Sequence, residues 1–242
     1  MLIALLACTT PSYPTLPHVE PSTQSDSAGP PQDTDDAADT EDTHGTDSGG
    51  ADAWHIQIGA IPGDLAAQMQ GTTMHSGCPV PLDELVLIEA AHWDMTGAVQ
   101  TGQLIVAAAV SAEVAVVLEA MFRAEFPIRS MIPASAFGGS DDASMAADNT
   151  SAFNCRAVTG GSSWSQHSYG NAIDINPIEN PYINGTTVLP PEGQSFSDRS
   201  DVRAGMIIEG DAVTTAFDAI GWGWGGQWSS LKDYQHFSEN GQ

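Results

Sequence analysis

A mixed α and β domain is predicted for residues 53–242, on three observations. Two apolar runs, Leu85–Ala91 and Gln103–Ala108, flank the stretch W-D-M-T-G-A-V-Q-T-G and read as two strands joined by a turn. Val114, Val117, Leu118, Met121 and Phe122 recur at helical spacing, so 112–125 reads as an amphipathic helix packed on a core, with Ser111 at its N-cap. Pro127 cannot continue that helix, and Ile128–Ile132 resumes as a strand.

Further along, the elements become shorter. Leu65–Met69 reads as a short helix before the first strand, and Ala172–Ile175 as a buried strand entered through Gly170. Ala212–Ile220 carries Val213, Ala216, Phe217 and Ile220 at helical spacing and is a second amphipathic helix. Between Pro133 and Trp164 lies a long irregular stretch rich in Gly, Ser, Asp and Asn. A loop of that length inside a compact domain is usually functional. Its segment S-M-A-A-D-N-T-S-A-F-N-C-R suits an ordered wall better than a linker.

The part before residue 53 has a different character. Residues 1–8, M-L-I-A-L-L-A-C, end in a Leu-Leu-Ala-Cys sequence that resembles a bacterial lipobox, in which Cys8 would be lipidated. No Lys or Arg precedes it, and the apolar run is brief for a signal peptide and too short to span a bilayer. Residues 9–52 are Pro-rich, then Ser/Thr/Asp/Gly-rich, and bury too little apolar surface to offset chain entropy. They read as a disordered acidic spacer between anchor and domain. The expected setting is an exported bacterial lipoprotein of the cell envelope, monomeric and touching membrane only through its lipid. With Cys8 so assigned, Cys78 and Cys155 form an even pair, and in an exported protein that favours one disulfide.

Charge excludes other functions. The formal net charge is −25, and all six basic residues (Arg123, Arg129, Arg156, Arg199, Arg203, Lys232) lie in the second half. Attraction to nucleic acid or to anionic lipid is not expected of such a chain. The few arginines in the folded part therefore draw interest.

Chemistry concentrates in two segments. In S-Q-H-S-Y-G-N-A-I-D, His167 and Asp174 are an imidazole and a carboxylate placed around a turn and a strand. Sixty residues on, G-W-G-W-G-G-Q-W is followed by D-Y-Q-H-F, with Asp233 and His236 three apart. Two histidines and one carboxylate with a fourth position left open make a catalytic-type zinc set, so His236 is the natural third ligand. Asp233 would then face the same ion unbound and serve as base and acid, taking a proton from a water nucleophile and returning it to a leaving amine. An arginine could steady a developing oxyanion or hold a substrate carboxylate with two parallel bonds. The tryptophans supply rigid apolar walls. His55, His75 and His92 lack a partner motif, and His18 and His44 fall in the spacer.

The pattern S-x-H-x-x-G-x-A-x-D-I (Ser165, His167, Gly170, Ala172, Asp174, Ile175), with G-W-x-W-G-G-x-W and D-x-x-H-F downstream, resembles the zinc D-alanyl-D-alanine carboxypeptidases. That family includes vancomycin-resistance D,D-carboxypeptidases and dipeptidases and phage L-alanyl-D-glutamate endolysins. The resemblance spans roughly Leu82 to Phe237. It implies a small α+β fold of the hedgehog/DD-peptidase type, with a small antiparallel sheet and flanking helices. It also implies one zinc ion on His167, Asp174 and His236, and Asp233 as catalytic acid/base. An arginine upstream of the first His belongs beside the scissile carbonyl; Arg156 is preferred over Arg129 because it lies in the polar loop near His167. Ser165, Arg129 and Trp224 are the candidate substrate contacts. The activity so implied is hydrolysis of a peptide bond in the peptidoglycan stem peptide. D,D-carboxypeptidase cleavage is the first expectation and L-Ala-D-Glu endopeptidase cleavage the second. The rival is a non-catalytic zinc-containing binding domain, as in the hedgehog signalling domain, and retention of Asp233 speaks against it.

Overall fold

The computed structural model describes residues 53–158 and 160–242. The proposed lipidation site at Cys8 and the whole of the expected spacer lie outside the described residues. The fold is mixed α and β, built from small sheets and short helices. Strands β1 (Ile56–Ala60), β2 (Leu85–Trp93) and β3 (Val99–Ala107) form an antiparallel sheet in the order β1-β2-β3. The hairpin β2–β3 turns at Asp94–Ala98, where the Asp94 carboxylate accepts from the backbone N–H groups of Thr96 and Ala98. That side-chain closure lets β3 begin at Val99, so Gln100, Thr101 and Gly102 belong to the strand and not to the expected turn. Strand β1 was not foreseen; its half-exposed edge position leaves no strong apolar signal.

Helix α1 (Gly63–Met69) precedes the hairpin, and α2 (Ser111–Arg123) follows it. Ser111 is not the N-cap. A 3₁₀ turn over Ala108–Val110 runs straight into α2, so Val110 takes the cap position and the Ser111 hydroxyl donates to the Ala108 carbonyl instead. At the other end the helix stops two residues earlier than its spacing predicts. Glu125 turns to φ 53°, and the N–H groups of Glu125 and Phe126 donate back to the carbonyls of Phe122 and Met121, a Schellman closure. Val114, Val117, Leu118, Met121 and Phe122 are all buried against the sheet and against α4 (Ala212–Ala219), whose Val213 and Phe217 complete the same core.

Of the expected strand Ile128–Ile132 only β4 (Ser130–Met131) pairs, and it does so in parallel with β5 (Asn149–Thr150). The stretch 133–164 holds, among its described residues, the six-residue helix α3 (Asp141–Ala146), capped by the Ser140 hydroxyl, and then β5. A Cys78–Cys155 disulfide ties the segment before β2 to its far end.

Two further antiparallel sheets carry the chemistry. One has the order β6-β11-β9, from Ala172–Asp174, His236–Ser238 and Gly223–Trp224; the other has β10-β7-β8, from Lys232–Asp233, Tyr182–Asn184 and Thr187–Leu189. The two distant motifs of the sequence are therefore neighbours by strand pairing.

Candidate metal centre

In the β6–β11 pair, Asp174 stands directly opposite His236 and Ile173 opposite Phe237. Residues opposite each other in an antiparallel pair project to the same face, and faces alternate along the strand. Ile173 and Phe237 accordingly enter the core, where the Phe237 ring stacks on Phe217 with centroids 3.9 Å apart. Asp174 and His236 emerge together on the opposite face.

His167 reaches the same point from a 3₁₀ turn over Gln166–Tyr169, started by the Ser165 hydroxyl, which accepts from the His167 N–H, and closed by Gly170 at φ 72°. Gly170 is obligatory for a second reason: a Cβ there would run into the backbone N of Ala107 and the side chain of Leu85, so the turn packs on the main hairpin only without one.

The three side chains are buried and close. His167 Nε2 lies 3.0 Å from Asp174 Oδ2, His236 Nδ1 lies 2.9 Å from Asp174 Oδ1, and the two ring nitrogens are 3.3 Å apart. Ligand atoms bound tetrahedrally to zinc at about 2.0–2.2 Å stand about 3.3 Å from one another. The hydrogen bonds on the far side of each ring carry the fit further. His167 Nδ1 is 2.6 Å from the Ala152 carbonyl oxygen and His236 Nε2 is 3.2 Å from the Gln242 main-chain oxygen. Those oxygens only accept, so each of these nitrogens carries the N–H. In neutral rings the lone pairs of His167 Nε2 and His236 Nδ1 then point, with the Asp174 carboxylate, at one shared place with no proton between them. Such a trio can hold a cation. Burial raises the Asp174 pKa, but His167 and His236 more than reverse this and hold it well below the usual carboxylate range; burial lowers His236, and Asp174 more than offsets it. The residues fit zinc.

A cavity of about 350 Å³ opens onto this trio. Asp233 lines it from β10, with Oδ1 buried and without a hydrogen-bond partner. Burial, reinforced by the Asp174 charge and opposed by His236 and Gln235, pushes the Asp233 carboxyl up to about 7. Gly225, from the Gly/Trp run, allows this placement: a Cβ on it would collide with the backbone oxygen and Cβ of Asp233. The spacing of Asp233 and His236 is thus met by a strand, a tight bend and a strand, not by a helical turn.

Arg156 also lines the cavity, with Nη2 2.9 Å from Asp141 Oδ2. Arg129 is not brought there. Its side chain is half exposed and pairs with Asp148 and Glu179 on the far side of β6. Ser165 lines the cavity as expected of a substrate contact, but Trp224 does not: it is 5% exposed, donates from Nε1 to the Tyr234 carbonyl and packs on Phe237 in the core. Alternation along β9 turns Trp224 inward, and the aromatic walls are Trp228 and Trp164. Asp141 was missed by sequence reasoning, since its approach to Arg156 depends on how α3 folds back.

A buried three-ligand cluster beside a cleft-lining carboxylate is an arrangement suited to metal-assisted hydrolysis. Residues 159–239 match the model of a family described as D-alanyl-D-alanine carboxypeptidase, so the resemblance to these peptidases holds over the stretch that contains His167, Asp174, Asp233 and His236. Arg156 and Asp141 fall just before it. No curated protein and no solved structure matches the chain significantly.

Proposed function

We propose that this chain is a zinc-dependent peptidase that hydrolyses a peptide bond in the stem peptide of bacterial peptidoglycan, held at the cell envelope by a lipid on Cys8 with residues 9–52 as spacer. The observation that carries the reading is the convergence of three ligand atoms beside a cleft-lining carboxylate, Asp233, whose Oδ1 is buried without a hydrogen-bond partner. The lipobox-like L-L-A-C and the acidic low-complexity run support the tethering half.

His167 Nε2, Asp174 and His236 Nδ1 would hold the ion, which when bound supplies an acidified water and a Lewis-acid partner for a carbonyl oxygen. Asp233 takes the proton of the attacking water and passes it to the departing amine nitrogen; a carboxyl poised near neutral pH can do both. Arg156, across the cavity, stabilises the negative charge that develops on the carbonyl oxygen. Trp164 and Trp228 border the cleft and limit water there.

Purified protein should contain about one zinc per chain by metal analysis, and should release fragments from defined muropeptides by mass spectrometry. His167→Ala should lose both. Full hydrolysis by metal-free His167→Ala protein would overturn the proposal.

A further inference from the structure

We infer that Asp141 is a specificity-determining residue: by engaging Arg156 it closes the cavity to a substrate with a free carboxylate beside the scissile bond and favours bonds within a longer or amidated chain. This rests on the peptidase reading of the same cavity.

Recognition of a carboxylate by arginine uses two parallel N–H groups on one edge of the guanidinium. On Arg156 each such edge is partly occupied or buried. Its Nη2 is 2.9 Å from Asp141 Oδ2, Nη1 faces the Ala157 carbonyl at 3.4 Å, and Nε is buried within the protein. Among the described residues no other Lys or Arg lines the cavity, and the remaining five of the chain are engaged elsewhere. Arg123 pairs with Glu119, Arg129 with Asp148, and Arg203 with Asp201. Arg199 donates to the Glu179 carbonyl, and Lys232 to the Gly226 carbonyl.

The other charged groups facing the cavity are acids, Asp174 and Asp233 beside Asp141 itself. A substrate carboxylate reaching toward Arg156 would be desolvated beside Asp141, with its one cationic side-chain partner in the cavity already paired, which is costly. A neutral peptide carbonyl asks for a single donor and brings no charge, so an internal or amidated linkage suits the same walls. Asp141 reaches Arg156 because the Ser140 cap starts α3 there, putting the carboxylate at the helix's first residue.

The test is equilibrium binding by calorimetry to zinc-loaded Asp233→Asn protein, which is not expected to turn the probes over. The probes are N-acetyl-L-Lys-D-Ala-D-Ala as free acid and as C-terminal amide. The amide should bind about tenfold tighter than the acid. Adding Asp141→Asn should free Arg156 and reverse that preference, and Asp141→Glu should keep the amide preference. Tighter or equal binding of the acid without the Asp141 change, a ratio unmoved by Asp141→Asn, or no binding of either probe overturns the inference. Zinc-dependent cleavage of muropeptides by the unaltered protein would still stand in any of those cases, so the two readings fail separately.

Discussion

Two buried polar clusters lie side by side along one short segment of chain. At Asp174 the ring nitrogens of His167 and His236 converge on a carboxylate with the spacing of a metal site. Two residues on, Asn176 sits at the centre of a cluster whose polar atoms are nearly all paired. Its Oδ1 accepts from the Arg129 N–H, its Nδ2 donates to the carbonyls of Pro127 and Gly205, and its N–H donates to the Thr150 hydroxyl. Asn180 repeats the pattern, joining Ile175, Gly205, Ile207 and Arg199. Burial and polarity are alike in the two clusters; satisfaction differs. A fully paired cluster holds loops together, whereas converging unpaired acceptors wait for a cation. The two arginines that sequence reasoning weighed against each other divide along this line, Arg129 into the paired cluster and Arg156 into the cavity.

The largest expected effect lies on the unpaired side. Asp233→Asn keeps the shape of the side chain and removes its base, so kcat should fall about a thousandfold while zinc content stays at that of the unaltered protein. A zinc-bearing binding domain makes the opposite forecast: no turnover in the unaltered protein, and nothing for this substitution to remove. Kinetics on muropeptides together with metal analysis decides between them.

Both halves of the metal cluster were legible because each is local. S-x-H-x-x-G-x-A-x-D encodes a capped turn, a left-handed glycine and a strand, and D-x-x-H-F places its base and ligand across one bend. What brings them together is the register of β6 on β11, which no spacing within either motif specifies. Asp141 and Trp164 were illegible for a related reason, whereas Trp228 is one of the walls expected of the Gly/Trp run. The places of Asp141 and Trp164 depend on how the stretch 133–164 folds over the cavity, and single aspartates and tryptophans carry no periodic signal. The core helices were read from spacing within a residue or two, with errors confined to ends where Ser111 and Glu125 follow tertiary packing over the local pattern.

On the paired side, Asn176→Ala should destabilise the fold without touching the metal cluster. It strands the Pro127 carbonyl and the Arg129 N–H, while the Gly205 carbonyl keeps Asn180 Nδ2. It also places alanine at φ 45°, a left-handed backbone that asparagine tolerates better. A loss on the order of 3 kcal/mol is expected in chemical denaturation. Zinc affinity of the folded fraction should change by less than about threefold, far below the roughly 10- to 100-fold expected for loss of a group that orients a ligand. A fall as large as that would merge the two clusters into one functional unit.

The smallest effect probes an imperfection in the paired cluster, where Glu179 Oε2 and Arg199 Nε are buried without partners. Glu179 is 4% exposed, its Oε2 has no partner, and Arg129 stands 3.6 Å from Oε1. Burial, together with the neighbouring Asp148 carboxylate and against the pull of Arg129, pushes Glu179 up to about 7 from an ordinary 4.5. The folded protein therefore keeps a proton there that the unfolded chain has already lost. Stability from this group is intact below about pH 4.5 and declines as pH rises through about 7. Glu179→Gln removes the titration and keeps the shape. The variant should match the unaltered protein near pH 4.5 and exceed it at pH 8 by an amount on the order of 2 kcal/mol. Asp233, also raised, titrates equally in both proteins and cancels in the difference. Denaturant midpoints at pH 4.5, 6 and 8 measure the divergence. Parallel curves would mean that Arg129 already neutralises Glu179, so that its burial carries no pH-dependent cost.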